Sequence, residues 1–174
     1  MKRTLKTEGI VLTKKNLLNK DKIVTIFTKD LGKLQVFAKG VKKITSRRLP
    51  HLETGNLIKT EIYKKNERFY LQESALISGF YKIKVSQKKQ QLLYLFLFVI
   101  NKLLPEAQNE KDIYNLAKNF LVELSEKDLK QEKLNEYLNA LLYQLGYIQK
   151  FQAQEQLYKT IEEIIAEKLP EKLL

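Results

Sequence analysis

The sequence predicts an α+β protein of two domains, in which five short β-strands forming a small barrel or sandwich are followed by a helical bundle. Three observations carry this prediction. Five of the six glycines precede residue 85, where they punctuate β-branched and aromatic segments; beyond residue 85 the apolar residues recur at helical spacing; and the charge divides at the same place. Residues 1 to 85 hold 20 Lys and Arg against 7 Asp and Glu, whereas residues 86 to 174 hold 12 against 13. A basic half joined to a neutral half points to one module that meets a polyanion and another with a different task.

The strand candidates are EGIVLT (from Glu8), DKIVTIFT (from Asp21), KLQVFAK (from Lys33), NLIKTEIY (from Asn56) and RFYLQESALI (from Arg68). Short strands at this spacing, separated by turn signals, read as an all-β barrel or sandwich. The second and third are separated by Lys29, Asp30, Leu31 and Gly32, a hairpin-sized loop in which Gly32 supplies positive φ. Lys65 and Asn66 mark a tight turn between the fourth and fifth. The expectation is a meander closed by a longer return connection.

Ser86 is placed to cap a helix through QQLLYLFLFVINKLL that stops at Pro105, with Tyr94, Phe96 and Phe98 read as core residues in a stretch apolar all round. Asn109 with Asp112 opens a second helix to about Leu124, and Ser125 with Asp128 resembles a capping box for a third. The third carries Leu134, Tyr137, Leu138, Leu141, Leu142 and Leu145 at helical spacing and ends at Gly146. A fourth runs from about Gln154 to Leu169 and stops at Pro170, with Leu157, Ile161, Ile164 and Ile165 in one stripe.

Composition narrows the chemistry. The chain has 174 residues, a net charge of +12, 44% hydrophobic and 30% charged residues, which suits a globular protein with a real core. Without cysteine, and with one histidine, disulfides, thiolate zinc sites, iron–sulfur clusters, cysteine nucleophiles and nearly all His-based sites are excluded. Gly32-Lys33 lacks the phosphate-loop pattern, having Phe27 and Leu34 where glycine and Ser or Thr belong. Glu8, Asp21 and Glu61 are too dispersed for paired-carboxylate catalysis, and Asp21 is expected to bond local backbone N–H groups. His51 reads as a loop residue. The longest apolar run, Leu92 to Ile100, has nine residues against the roughly 18 that span a bilayer, and the N-terminus lacks the apolar centre of a secretory signal. The reading is a cytoplasmic, soluble non-enzyme with no cofactor, no metal and no membrane partner.

The densest basic stretch, AKGVKKITSRR, contains Lys39, Lys42, Lys43, Arg47 and Arg48 and no acid. A basic loop at a strand end, with a glycine, suits contact with a phosphate backbone; the bland alternative is a solvated loop. In the preceding strand Lys33, Gln35, Phe37 and Lys39 face one way, and Leu34, Val36 and Ala38 the other. The second set is a core face. The first combines cations, an amide and one ring, as single-strand-binding surfaces do, although Phe37 could equally be packing against the helical domain.

Three blocks of this sequence resemble the RecO family of bacterial recombination mediator and DNA repair proteins. They are EGIVLT (Glu8 to Thr13), NKDKIVTIFTKDLGKLQVFAKGVKK (Asn19 to Lys43) with Ser46, and YLNALLYQLGY (Tyr137 to Tyr147). The resemblance implies an N-terminal five-stranded OB-fold DNA-binding domain over residues 1–82 and a helical domain over residues 83–174. It implies binding of single- and double-stranded DNA and annealing of complementary strands without nucleotide hydrolysis. It also implies work with RecR and single-strand binding protein to load RecA onto gapped DNA. Lys39, Lys42, Lys43, Arg47 and Arg48 would then be the DNA loop, with Lys33 beside them. Many relatives carry a cysteine cluster soon after Leu-Gly-Tyr; here Ile148, Gln149, Lys150 and Phe151 stand there, so the resemblance is to a short, cysteine-free member, with no zinc site expected.

The mechanism expected is electrostatic, because a strongly basic module neutralises phosphates on two strands and leaves base pairing to select the match. Two alternatives stay open: an RNA-binding OB-fold protein, and a non-catalytic adaptor that docks an acidic protein tail.

Overall fold

The computed structural model describes residues 4–18, 20–42 and 46–171. Five strands, β1 (Thr4–Asn16), β2 (Lys22–Thr28), β3 (Gly32–Ala38), β4 (Leu57–Lys65) and β5 (Arg68–Ser78), close into a barrel in the order β1-β2-β3-β5-β4. Neighbours are antiparallel except β3 and β5, which run parallel through Val36↔Phe69 and Phe37↔Tyr70. A three-stranded meander, a long return and a closing hairpin give the OB-fold.

Period-two alternation builds the barrel. Along β3, Leu34, Val36 and Ala38 are buried while Lys33, Gln35 and Phe37 turn outward. The inner set joins Val11, Val24, Ile26, Ile58, Ile62 and Leu71 in one core, which Val41 and Leu52 of the return connection complete. Full burial of each such aliphatic side chain contributes about 1.5–3 kcal/mol.

The turns follow from local chemistry. Between β2 and β3, the Thr28 hydroxyl donates to the Gly32 carbonyl (2.8 Å) and accepts the Leu31 N–H (3.1 Å). Gly32 has φ +72°, and a Cβ there would lie 1.8 Å from the Gln108 carbonyl oxygen, so the position excludes any side chain twice over. The β4–β5 turn falls one residue later than expected: Asn66 and Glu67 both adopt positive φ (48° and 59°), the two-residue hairpin geometry that matches strand twist.

By its contacts the chain forms two compact units, Met1–Gly79 with Pro105–Tyr114, and Phe80–Leu104 with Asn115–Leu174. In the first, the Ala107 N–H donates to the Lys33 carbonyl (2.8 Å), and the Gln35 amide donates to Glu106 (2.9 Å). This segment therefore pairs with the part of β3 that β5 leaves uncovered.

The helices are α1 (Tyr81–Lys84), α2 (Gln87–Leu103), α3 (Lys111–Glu126), α4 (Gln131–Gln144) and α5 (Gln154–Ile165). The expected Ser86 cap is present, its hydroxyl accepting the Lys89 N–H (3.4 Å), and Leu104 ends α2 before Pro105. Gly146 takes φ +79° after α4. Several expectations are corrected. The short α1 has no signal of its own in the sequence. The second helix starts at Lys111, with the Glu110 carbonyl accepting the first helical N–H, from Tyr114 (2.8 Å). Ser125 lies inside α3 and α4 begins at Gln131, because burial of Leu124 and Leu129 sets where the chain leaves one helix for the next. The last helix ends at Ile165, where Ala166 takes φ +52°; the Leu169 N–H then bonds the Glu162 carboxylate (2.9 Å), turning the chain back to bury Leu169. In α2, Phe96 is buried and Phe98 half-buried, but Tyr94 is 41% exposed and is not a core residue. Among the described residues no helix is long and apolar enough to cross a membrane.

Candidate nucleic-acid interface

Register puts three rings in one line. Phe37 on β3 stands opposite Tyr70 on β5, and Tyr70 stands opposite Tyr63 on β4. Directly opposed residues share a face of the sheet. The Phe37 and Tyr70 centroids are 5.6 Å apart, and Tyr63 and Tyr70 lie 5.3 Å apart with planes 16° from parallel. All three are half-buried on the outside of the barrel.

Cations frame this row. The Lys39 ammonium sits 4.9 Å from the Tyr70 ring centre and the Arg68 guanidinium 5.5 Å from that of Phe37. Such contacts hold a cation over a π-face without neutralising it. One end of the row opens into a cleft of about 210 Å³ lined by Lys33, Gln35, Phe37, Arg68, Glu106 and Ala107, among others. Burial holds the Lys33 ammonium below the usual lysine range, while Glu106 acts in the opposite sense. The surface thus offers flat apolar faces for bases and positive charge for phosphates, side by side.

The loop after β3 is built by hydrogen bonds that the sequence does not display. Gly40 (φ +62°) donates its N–H to Asp21 (2.7 Å), so Asp21 does bond a backbone N–H, but across the hairpin. The Lys42 ammonium donates to the Leu17 carbonyl (2.9 Å). Arg48 has a structural position: its guanidinium donates to the carbonyls of Lys39 (2.7 Å), Leu71 and Gln72 (both 3.3 Å), tying the loop to β5. Arg47 is exposed, and Lys43 lies outside the described residues. Of the residues read from sequence, Phe37 and Lys39 meet at one surface with Lys33 at its edge, whereas Lys42 and Arg48 are engaged by backbone.

Sequence reasoning missed Tyr63, Tyr70 and Arg68. The alternation in RFYLQES, which places Arg68, Tyr70 and Gln72 on one face, was a usable signal; the alignment of that face with β3 depends on the parallel pairing, which no local pattern encodes. His51 lies in a short 3-10 helix (Leu49–Leu52), with Nδ1 3.1 Å from the Ser74 hydroxyl. Among the described residues no group of His, Cys, Asp or Glu is arranged to hold a metal ion.

Residues 1–80, the stretch that carries this barrel, match the family model described as Recombination protein O N terminal. These 80 residues belong to the RecO family by its N-terminal domain. The chain's relatives include "DNA repair protein RecO" of Caldanaerobacter subterraneus subsp. tengcongensis, 31% identical over 147 residues, covering 84% of this chain and 60% of the relative. The protein of the same name from a Thermoanaerobacter species is 34% identical over 125 residues, covering 71% and 50%. That from Mycoplasma mycoides subsp. mycoides is 31% identical over 128 residues, covering 72% and 49%. The chain therefore spans between about half and three fifths of the length of these curated RecO relatives. The Tyr137-to-Tyr147 block has a physical role in the helical unit. Buried Asn139 donates to the carbonyls of Asn135 and Gln152 (both 3.0 Å) and accepts the Gln152 N–H (2.8 Å), pinning the segment between α4 and α5.

Proposed function

We propose that this chain acts in DNA repair and homologous recombination as a mediator that binds single- and double-stranded DNA and anneals complementary strands without nucleotide hydrolysis. The observation that carries the reading is the Phe37–Tyr70–Tyr63 row with Lys39 and Arg68 over its rings. The printed name of its relatives, DNA repair protein RecO, supports the same reading.

Two complementary strands repel each other. A basic barrel neutralises phosphates on both, raises their local concentration and presents bases unstacked from their own neighbours, so that pairing selects the match. The chain supplies binding and alignment and no catalytic residue. Residues 1–82 form the DNA-binding domain, in which Lys33, Phe37, Lys39, Lys43 and Arg47 contact DNA, while Lys42 and Arg48 support that surface through backbone carbonyls. Residues 83–174 dock RecR and single-strand binding protein, through which RecA is loaded onto coated gaps. The setting is the cytoplasm.

A fluorescence annealing assay with complementary labelled strands tests this, run with bare strands and with strands coated by single-strand binding protein. Faster annealing in both is expected; no acceleration of bare strands overturns the reading. A matched RNA oligonucleotide as competitor separates the RNA-binding alternative, because a stacking row accepts either polymer.

A further inference from the structure

The cleft at the end of the aromatic row differs in chemistry from the row itself. Residues of β3, the start of β5 and the Glu106–Ala107 segment line it, all within the barrel unit. Two cations, Lys33 and Arg68, face two carboxylates, Glu67 and Glu106, so the lining carries no net charge. Glu67 pairs with Lys64 (2.6 Å), and Arg68 lies over the Phe37 ring (5.5 Å). Phosphate binding draws on surplus positive charge, which this cleft lacks; a balanced lining suits the polar edge of a neutral base. Glu106 is fixed from two sides. Its backbone bridges Lys33, with the next residue, Ala107, donating its N–H to the Lys33 carbonyl (2.8 Å), and its carboxylate accepts the Gln35 side-chain amide (2.9 Å). A carboxylate and an amide therefore stand side by side in a cleft that has Phe37, the first ring of the row, as one wall. The space of about 210 Å³ is below the roughly 300–1,000 Å³ that encloses a drug-sized ligand, which leaves room for one nucleobase and none for a base pair.

We infer that this cleft reads the Watson–Crick edge of an unpaired guanine, with Glu106 selecting the base and Gln35 positioning Glu106. Guanine is the one common base whose pairing edge presents two adjacent donors, N1–H and the N2 amino group, beside an acceptor, O6. An ionised carboxylate accepts both donors through its two oxygens, and the Gln35 amide nitrogen, which spends one hydrogen on Glu106, has a second for O6. Adenine, cytosine and thymine each offer a single donor group at that edge beside at least one acceptor, which a carboxylate repels. The inference rests on the polynucleotide reading above and deepens it: the row stacks any base, and the cleft chooses one. Because the edge it reads is the edge used in pairing, a guanine leaves the cleft when it pairs, so the choice applies to single strands only.

The test uses the full chain and short labelled thymidine strands with one central position varied, compared by fluorescence anisotropy. Guanine at that position is expected to bind about tenfold tighter than adenine, cytosine or thymine, the scale of one bidentate base contact. Hypoxanthine, which stacks as a purine but lacks the N2 amino group, loses most of that advantage, whereas 7-deazaguanine, which keeps the whole pairing edge, retains it. Glu106→Gln, which replaces one acceptor oxygen by a donor, brings the ratio of guanine to thymine affinity to about one. Equal affinities for the four bases, hypoxanthine binding as well as guanine, or a guanine preference that survives Glu106→Gln overturns the inference. If Glu106→Gln does not fold, the base series on the unaltered chain decides by itself: loss with hypoxanthine and retention with 7-deazaguanine support the cleft, and any other order overturns it. Strands that bind equally well sink the guanine cleft and leave the polynucleotide reading standing; a chain that binds no strand at all sinks both.

Discussion

Replacing Tyr70 by leucine separates stacking from charge. Tyr70 is the middle ring of the row, 5.6 Å from Phe37 and 5.3 Å from Tyr63, with the Lys39 ammonium 4.9 Å from its centre. Leucine keeps much of the buried area, removes the one ring that touches both neighbours and leaves every cation in the chain. A base stacked on an aromatic side chain is worth about 1–3 kcal/mol, so affinity for a short thymidine oligonucleotide should fall by about 5- to 150-fold. The dependence of log K on log salt should stay the same, because phosphate neutralisation sets that slope. The double variant Lys39→Gln, Arg68→Gln should do the reverse and make the slope shallower by about 1.4, or about 0.7 for each single-strand phosphate that is no longer neutralised. Anisotropy titrations across a salt series measure both quantities, and thermal melts confirm that each variant is folded. Unchanged affinity in folded Tyr70→Leu would refute the stacking role, and a shallower slope in that variant would mean that the ring acts only by seating Lys39.

Other perturbations separate scaffold from interface. Arg48→Ala removes three hydrogen bonds to backbone carbonyls; a stability loss of about 2–3 kcal/mol is expected in denaturant melts, with the salt slope of DNA binding unchanged. Gly32→Ala forces a Cβ to within 1.8 Å of the Gln108 carbonyl oxygen at φ +72°, so a loss above about 3 kcal/mol, or failure to fold, should appear in the same melts. Asn139→Leu leaves the Gln152 N–H and carbonyl without their buried partner and should cost about 2–3 kcal/mol. Glu123 is held below the usual carboxylate range, first by the Tyr137 hydroxyl that donates to it (2.7 Å) and then by Lys127. Because its folded value is the depressed one, its contribution is present above the ordinary carboxylate value and disappears as pH falls through the folded value. Acid titration of Glu123→Gln should therefore lack that part of the stability decline.

The features that were legible in the sequence are those with a period. Leu34, Val36 and Ala38 alternate with Lys33, Gln35 and Phe37, and the barrel keeps that alternation because one face is core. Ser86, Pro105 and Gly146 were readable because capping and chain reversal are local chemistry. The aromatic row was not, since it depends on β5 lying parallel to β3 in a register that brings Tyr70 beside Phe37. The basic stretch announced a charge but not its partners: Arg48 counts as a cation in composition, yet three carbonyls occupy it in the fold. Ser125 with Asp128 carried a genuine local signal that lost to the burial of Leu124 and Leu129. Tyr94 sits in an apolar run, but a helix of that length still has an outer side. The pairing of Ala107 with Lys33 left no trace in the sequence, because it joins backbone to backbone.

Photocrosslinking of a bromodeoxyuridine-substituted single strand, with adducts located by mass spectrometry, tests the central claim most directly. Adducts on Phe37, Tyr63 and Tyr70 are the predicted result. Adducts confined to residues 115–171 would contradict it.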